Sequence, residues 1–484
     1  MPAKPSIKEI RFFMRNVRTR MPFKYGAATL TSVPILHLSL TAEYADSTTS
    51  RGWAADILPP KWFDKDPAKD YADNVADLIW AARTAAGVYG EAARTYRTVF
   101  DIWMDGYTAT LREGDARGLN HLTAAHGSTL VERALVDAVG VAGGKPYHNT
   151  LADGDLGLDL ASLHGELRGM LTRDAVAPRP LDAVAIRHTV GMADPIRRDD
   201  ISPAERLDDG LPQALEDYVS EQGLSYFKVK VNGDLPADLN RLREITSVLD
   251  DGCRGDYTIT LDGNEQYGDL GEFLQLLRRV REAAELTRFY DAILYIEQPL
   301  ERQVALAPDQ EKAIRGVAAL KPIIIDESDG DLNSFREALA LGYTGVSTKN
   351  CKGIIKAVAN QGLARVFSTE TETPCFLTGE DLMNLPVVPL HQDLTQVAAL
   401  GIRHVERNGH HYVHGLDHLS AGEQQTCARQ HSGLYRAAGS SRVLDVKAGS
   451  IDIRSLQIPG LGVGVGGVEE GGMVPLEEWS FQSL

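Results

Sequence analysis

From residue 184 onward, short apolar runs alternate with helix-length amphipathic segments such as LPADLNRLREITSVL and DLNSFREALALG, and the clearest runs end in charged residues. YFKVKV carries Lys228 and Lys230, YTITLDGN closes on Asp262, ILYIEQP on Glu297, PIIIDES on Asp326 and GVSTKN on Lys349. The steps from Lys230 onward are 32, 35, 29 and 23 residues, about one strand and one helix each. That stride predicts a parallel (β/α) barrel, with strands over 184–190, 226–231, 257–262, 293–297, 322–326, 345–349, 375–379 and 403–407. The pattern is weakest over 366–420, where STETETP and ERNGHHYVHGLDHL give no clear period.

Upstream the period changes. Within residues 6–58, IKEIRFFMRNVRT, VPILHLSL and GWAADIL read as the strands of an antiparallel meander. Between 72 and 151, ADNVADLIWAARTAAG, EAARTYRTVFDIW and LVERALVDAVGVAG carry apolar residues three and four apart, the helical spacing. Composition shifts near Pro178 and Pro180, and after residue 438 the chain is Gly-rich and irregular. The expected organisation is α/β: a modified TIM-type barrel at 181–438, an N-terminal α+β capping domain at 1–180, and a C-terminal segment, 439–484, that returns to complete the capping domain.

Strand ends in such a barrel converge on one face. Asp262, Glu297 and Asp326 would point at one spot there, and three carboxylates without cationic cover want a hard divalent cation, Mg²⁺ with Mn²⁺ as the alternative. Lys228 and Lys230 on one wall and Lys349 on the other would flank it.

Composition narrows the partners. With 484 residues, 43% of them hydrophobic, the chain buries more than one ordinary domain holds. A net charge of −17 argues against nucleic acid and against an anionic membrane surface, and still allows a small carboxylate substrate at a locally basic site. Cys253, Cys351, Cys375 and Cys427 show no metal-type spacing and suggest a reducing compartment. MPAKPSIKEI lacks the pattern of a signal peptide and no run has the apolar length of a membrane span. A cytoplasmic enzyme assembled as a homo-oligomer is the expectation.

In order, FKVKV, LDGN, IEQP, IDES and STKNCKG are similar to the motifs of the enolase superfamily, and within it the pattern most resembles the muconate lactonizing enzyme subgroup. Outside the barrel, RTRMPFKYG resembles the family's substrate-capping loop, VERALVDAVGVAGGKPY its capping-domain helix and IPGLGV its C-terminal return. The match runs from residue 10 to 465. Members are commonly shorter, the extra length here lying around 60–120 and after the sixth strand. The usual glycine pair after the sixth-strand lysine is reduced to Cys351-Lys352-Gly353.

The resemblance implies abstraction of the proton next to a substrate carboxylate through a metal-stabilised enediolate, with Asp262, Glu297 and Asp326 as ligands and Glu327 as the alternative to Asp326. A lysine removes a proton only when it is itself unprotonated, which burial and a neighbouring cation favour. Lys230 is then the base, Lys228 its electrostatic helper and Lys349 the group on the opposite face. Two working lysines allow racemisation or epimerisation, and one allows elimination or cycloisomerisation. A Schiff-base aldolase using Lys230 or Lys349, and a metal-binding scaffold without turnover, are the other readings.

Further residues stay open. Asn264 and Gln298 would orient ligands through hydrogen bonds. His404, His410, His411, His414 and His418 form either a second metal site or a polar loop, and Gly409 and Gly415, which interrupt any helix, favour the loop. Glu380, Asp381 and Glu406 are substrate-recognition groups or structural ion pairs. Cys351 is a weak nucleophile candidate, and GLGVGVGG lacks the GK[ST] of a nucleotide loop. Met21, Phe23 and Tyr25 before Gly26, with Trp53 and Trp62 around the LPP turn, suggest a partly apolar substrate body or ordinary packing between domains.

Overall fold

In a computed structural model, which describes residues 2–25, 28–464 and 466–484, three long strands form a meander: β1 (Ser6–Tyr25), β2 (Ala28–Glu43) and β3 (Thr49–Ile57). Gly26, Ala27 and the Tyr25 side chain, at the β1–β2 tip, lie outside the described residues. Three helices follow, α1 (Tyr71–Ala92), α2 (Val99–Arg117) and α3 (His121–Gly143). The start of α3 is fixed by Asn120, whose side chain accepts from the Thr123 amide, and its end by Gly144 at φ 63°, a left-handed turn that glycine takes without strain. From Leu122 to Gly140 every residue of α3 is buried, because the helix is wedged between the sheet, the other helices and the barrel. Its charged residues are paired accordingly. Arg133 meets Asp56, and Glu132 accepts from Trp103 Nε1 at 3.1 Å and from the Ile355 amide at 2.6 Å.

Where α3 crosses β3 the two backbones touch at Gly52. A Cβ added there would stand 2.0 Å from the Ala134 carbonyl oxygen and 2.5 Å from the Ala138 nitrogen. Gly52→Ala is expected to destabilise the protein by about 1–3 kcal/mol through overpacking, seen as a lowered thermal midpoint. An unchanged midpoint would mean that the sheet can slide away from α3 at no cost.

The barrel consists of β4 (Ala183–Val190), β5 (Tyr226–Lys230), β6 (Thr258–Asp262), β7 (Ile293–Glu297), β8 (Ile323–Ile325), β9 (Gly345–Thr348), β10 (Phe376–Gly379) and β11 (His404–Arg407). They run parallel in sequence order, and β11 closes on β4 with Val405 beside Ile186. Each coincides with a strand read from the sequence, including the two in the unphased stretch. Beyond them, β12 (Tyr435–Ala438) and β13 (Ser441–Leu444) make a hairpin, and β14 (Ser450–Asp452) adds antiparallel to β4. The chain then returns to the capping sheet, where β15 (Val474–Pro475) pairs with β1 and Trp479 Nε1 donates to Asn16 Oδ1 at 2.9 Å. Among the described residues no helix is long and apolar enough to cross a membrane.

Candidate active site

Strand register sets Lys230 beside Asp262 and Asp262 beside Glu297, one row around the barrel, while Asp326 and Lys349 directly follow β8 and β9. In the closed ring, β5 and β9 stand four strands apart, so Lys230 and Lys349 face each other across the mouth. With Lys228, Asp262 and Asp326 they line a pocket roofed by capping-domain residues that include Ile57 and Trp62. Glu297 is buried outside this lining, 2.7 Å from Lys228.

The turns that follow the acidic strand ends are tight. Asn264 and Gln298, neither of them glycine, have φ of 49° and 33°. The Asn264 amide donates to Asp262 Oδ1 at 2.7 Å and its side-chain oxygen accepts from Lys230 Nζ at 2.5 Å. Gln298 accepts the Asp326 amide at 2.8 Å and donates to Ser328 Oγ, tying the end of β7 to that of β8.

Lys228 lies two residues deeper than Lys230 on the same strand face. Its Nζ is 2.7 Å from Glu297, 2.8 Å from Glu380, and 3.3 Å from both Asp262 and Glu406. Burial by itself would discharge this lysine, but the carboxylates outweigh burial and hold it firmly protonated. Arg187, from the middle of β4, grips Glu380 from the other side and donates to Thr378 Oγ1 at 3.0 Å. Glu380 is therefore a buried ion-pair partner. Nothing in the sequence singled out Arg187, although a lone charge in the apolar run AVAIRHTV requires a partner wherever it is buried.

On the opposite wall Lys349 Nζ sits 2.6 Å from Asp326 and 4.5 Å from the centroid of the Trp62 ring. Burial opposes its charge, but Asp326 prevails and raises Lys349 above the ordinary lysine value. Burial likewise opposes ionisation of Asp326, yet Lys349 and Lys352 hold it well below the usual carboxylate range. Lys352, missed in the sequence, is 3.3 Å from Asp326 Oδ1 and donates to Ser347 Oγ at 2.8 Å. Trp62 is held in place through its backbone. Arg302 donates to the carbonyls of Trp62 at 3.0 Å and Phe63 at 3.1 Å, and is itself gripped by both oxygens of Glu265 at 2.8 Å.

The donor set suits a hard divalent cation in kind. Asp262 and Asp326 both repel the Glu297 charge, so burial, Glu380 and these two push the Glu297 carboxyl well above its ordinary value, and its Oε2 is buried without a hydrogen-bond partner. Glu327 also lines the pocket with a buried, unpartnered Oε2, and burial together with Asp326 pushes it up to about 7. As the side chains stand, lysines, the Asn264 amide and Ser347 engage the oxygens of Asp262 and Asp326, and among the described residues no three acidic, imidazole or thiol groups are gathered to hold a metal ion. Metal entry would therefore exchange ammonium contacts for coordination.

The histidines disperse. Only Gly409–Tyr412 is helical, so the spacing 410, 414, 418 makes no common face. His404 contacts Arg187, His414 bonds Asp417 and the Asp209 carbonyl, and His418 bonds the Pro386 carbonyl. Burial pushes His410 down to about 3 and His418 to about 4. Cys351 is buried, its carbonyl accepting from Thr129 of α3, and burial raises its thiol far above the reactive range.

The family model described as enolase C-terminal domain-like matches residues 210–465, more than half of the chain. No curated protein sequence matches it. Among solved structures, the chain is similar to an enolase from Bradyrhizobium complexed with magnesium and mandelic acid (16% identity, TM-score 0.59, covering 96% of both chains). It is similar to a dipeptide epimerase from Enterococcus faecalis complexed with Mg and the dipeptide L-Leu-L-Tyr (13%, 0.59, 94% of this chain and 99% of that one). A muconate lactonizing enzyme from Pseudomonas fluorescens complexed with muconolactone gives 16% identity and a TM-score of 0.54 over 98% of each chain. A capped, closed barrel with its acidic row flanked by lysines, and a family match that covers seven of its eight strands, establish that this chain belongs to the enolase superfamily of enzymes.

Proposed function

We propose that the protein abstracts the proton α to the carboxylate of a small substrate, as a lyase or an isomerase, with Mg²⁺ or Mn²⁺ held by Asp262, Glu297 and Asp326. The observation that carries this reading is the placing of Lys230 and Lys349 on opposite walls of one pocket, with Asp262 and Asp326 on the same lining. The cation, when bound, would supply Lewis-acid neutralisation of the charge that develops on the substrate carboxylate. Lys230, the more open of the two at 15% side-chain exposure against 3% for Lys349, takes the proton. Lys349, kept as an ammonium by Asp326 and covered by Trp62, donates on the other face. Lys228 holds the acidic floor together and keeps its own proton. The free thiols fit a cytoplasmic location.

A Schiff-base aldolase fits less well, because such a lysine must be a neutral amine and Lys349 is an ion-pair partner of Asp326. The test is deuterium exchange. With Mg²⁺ in D₂O and a panel of hydroxy acids, acyl amino acids and dipeptides, we expect uptake at the α-carbon that disappears with EDTA and returns with Mg²⁺ or Mn²⁺. Uptake indifferent to chelator, or borohydride trapping of a carbonyl substrate on either lysine, would sink the reading.

A further inference from the structure

We propose that the pocket selects a carboxylate whose far end is apolar and uncharged and rejects one carrying an ammonium group there, an inference that rests on the reaction read above. The pocket has two acidic sides. Asp262, Asp326 and Glu327 lie on the reacting side, at the ends of β6 and β8, and Asp381 and Glu406 lie at the ends of β10 and β11. Asp381 and Glu406 are the groups that would receive a distal cation, and hydrogen bonds already fill Glu406 and all but one position of Asp381. A carboxylate offers about four acceptor positions. Glu406 Oε1 accepts from Thr189 Oγ1 at 2.5 Å and Asn408 Nδ2 at 3.1 Å, and its Oε2 from the Asp381 amide at 3.2 Å and Lys228 Nζ at 3.3 Å. Asp381 Oδ2 accepts the Asn408 amide at 2.6 Å and the Gly409 amide at 3.3 Å. Its Oδ1 accepts the Asn384 amide at 2.5 Å and faces Arg407 Nη1 at 3.6 Å.

An ammonium brought to this wall would lose its water and find Glu406 filled and the one open position on Asp381, at Oδ1, facing the like charge of Arg407. The remaining wall is Phe23, Leu30, Ile57, Trp62, Leu382 and Met383, which reward an apolar or aromatic body. Glu327 keeps a free oxygen, but it adjoins Asp326 on the reacting side, where the substrate carboxylate is expected.

The test uses two probes that differ only by hydrogen against ammonium, N-propanoyl-L-phenylalanine and L-alanyl-L-phenylalanine. Binding to the full chain with Mg²⁺ is followed by calorimetry and α-exchange in D₂O by mass. Tighter binding of the acyl compound by about tenfold or more is expected. Thr189→Val, which frees one Glu406 lone pair, should narrow the gap by admitting the dipeptide. Equal or tighter binding of the dipeptide, or no binding of either probe, would overturn the inference. Exchange into the dipeptide alone overturns the inference and leaves the reaction standing. A preference for the acyl compound without exchange supports the inference and counts against the reaction.

Discussion

If both lysines exchange protons, as in a racemase or epimerase, Lys230→Ala and Lys349→Ala are each expected to slow α-proton exchange by about 10²–10⁴-fold, but with opposite enantiomers of the substrate. The two amines approach the pocket from strands four apart in the ring, and so from opposite faces of whatever lies between them. A proton on one face can be reached only by the lysine on that face. If the protein is a racemase or epimerase, Lys230→Ala should abolish exchange from one enantiomer and leave the other nearly intact, and Lys349→Ala should do the reverse. If it eliminates or cycloisomerises, Lys230→Ala alone should stop exchange, and Lys349→Ala should slow product formation in proportion to its help as an acid. The measurement is deuterium uptake with resolved enantiomers, beside a thermal midpoint for each variant. Lys349 needs that control, because its removal leaves Asp326 with only Lys352 and Ser347. Exchange untouched in both variants would remove the lysines from the chemistry.

What could be read from the sequence, and what could not, follows from burial. The barrel strands announce themselves as runs such as ILYIE, buried at every position but Leu294, and PIII, each stopped by a charge, and the charge at each stop is what named Asp262, Glu297 and Asp326. The stretch 366–420 resisted phasing because its helix Val388–Leu400 is buried at every position, polar residues included, so no solvated face marks its period. Position along a strand gave Lys228 and Lys230 but not their surroundings. The expectation that Lys228 acts mainly on Lys230 overlooked Glu380 and Glu406, two strands that meet it only because the barrel closes. Lys352 sits on a turn after β9, where neither alternation nor helical period reports direction. The histidines were read correctly as a polar loop, since Gly409 and Gly415 leave only the one-turn helix Gly409–Tyr412, too short to carry a common face.

Lys228→Met is expected to destabilise the protein by about 3–5 kcal/mol, the cost of leaving a buried ionic partner uncompensated. Four carboxylates at four different strands converge within 3.3 Å of this one ammonium, and Arg187, which reaches the same cluster, is committed to Glu380. Methionine matches the lysine in length and apolar stem, so the loss would be electrostatic rather than a cavity effect. The pH dependence separates the two. Burial and Glu380 already raise the Glu297 carboxyl in the folded state, so the folded protein holds a proton that the unfolded chain has released. Stability on that account falls as pH rises out of the ordinary carboxylate range. Removing the ammonium should steepen the fall, giving a deficit against the wild type that grows as pH rises above the ordinary carboxylate range. Adding Glu297→Gln to Lys228→Met should recover part of the loss, because the two sites are in contact and their effects are not additive. A deficit that is constant with pH and unrelieved by Glu297→Gln would mean that Lys228 fills space, and that the acidic floor is stabilised by something other than its charge.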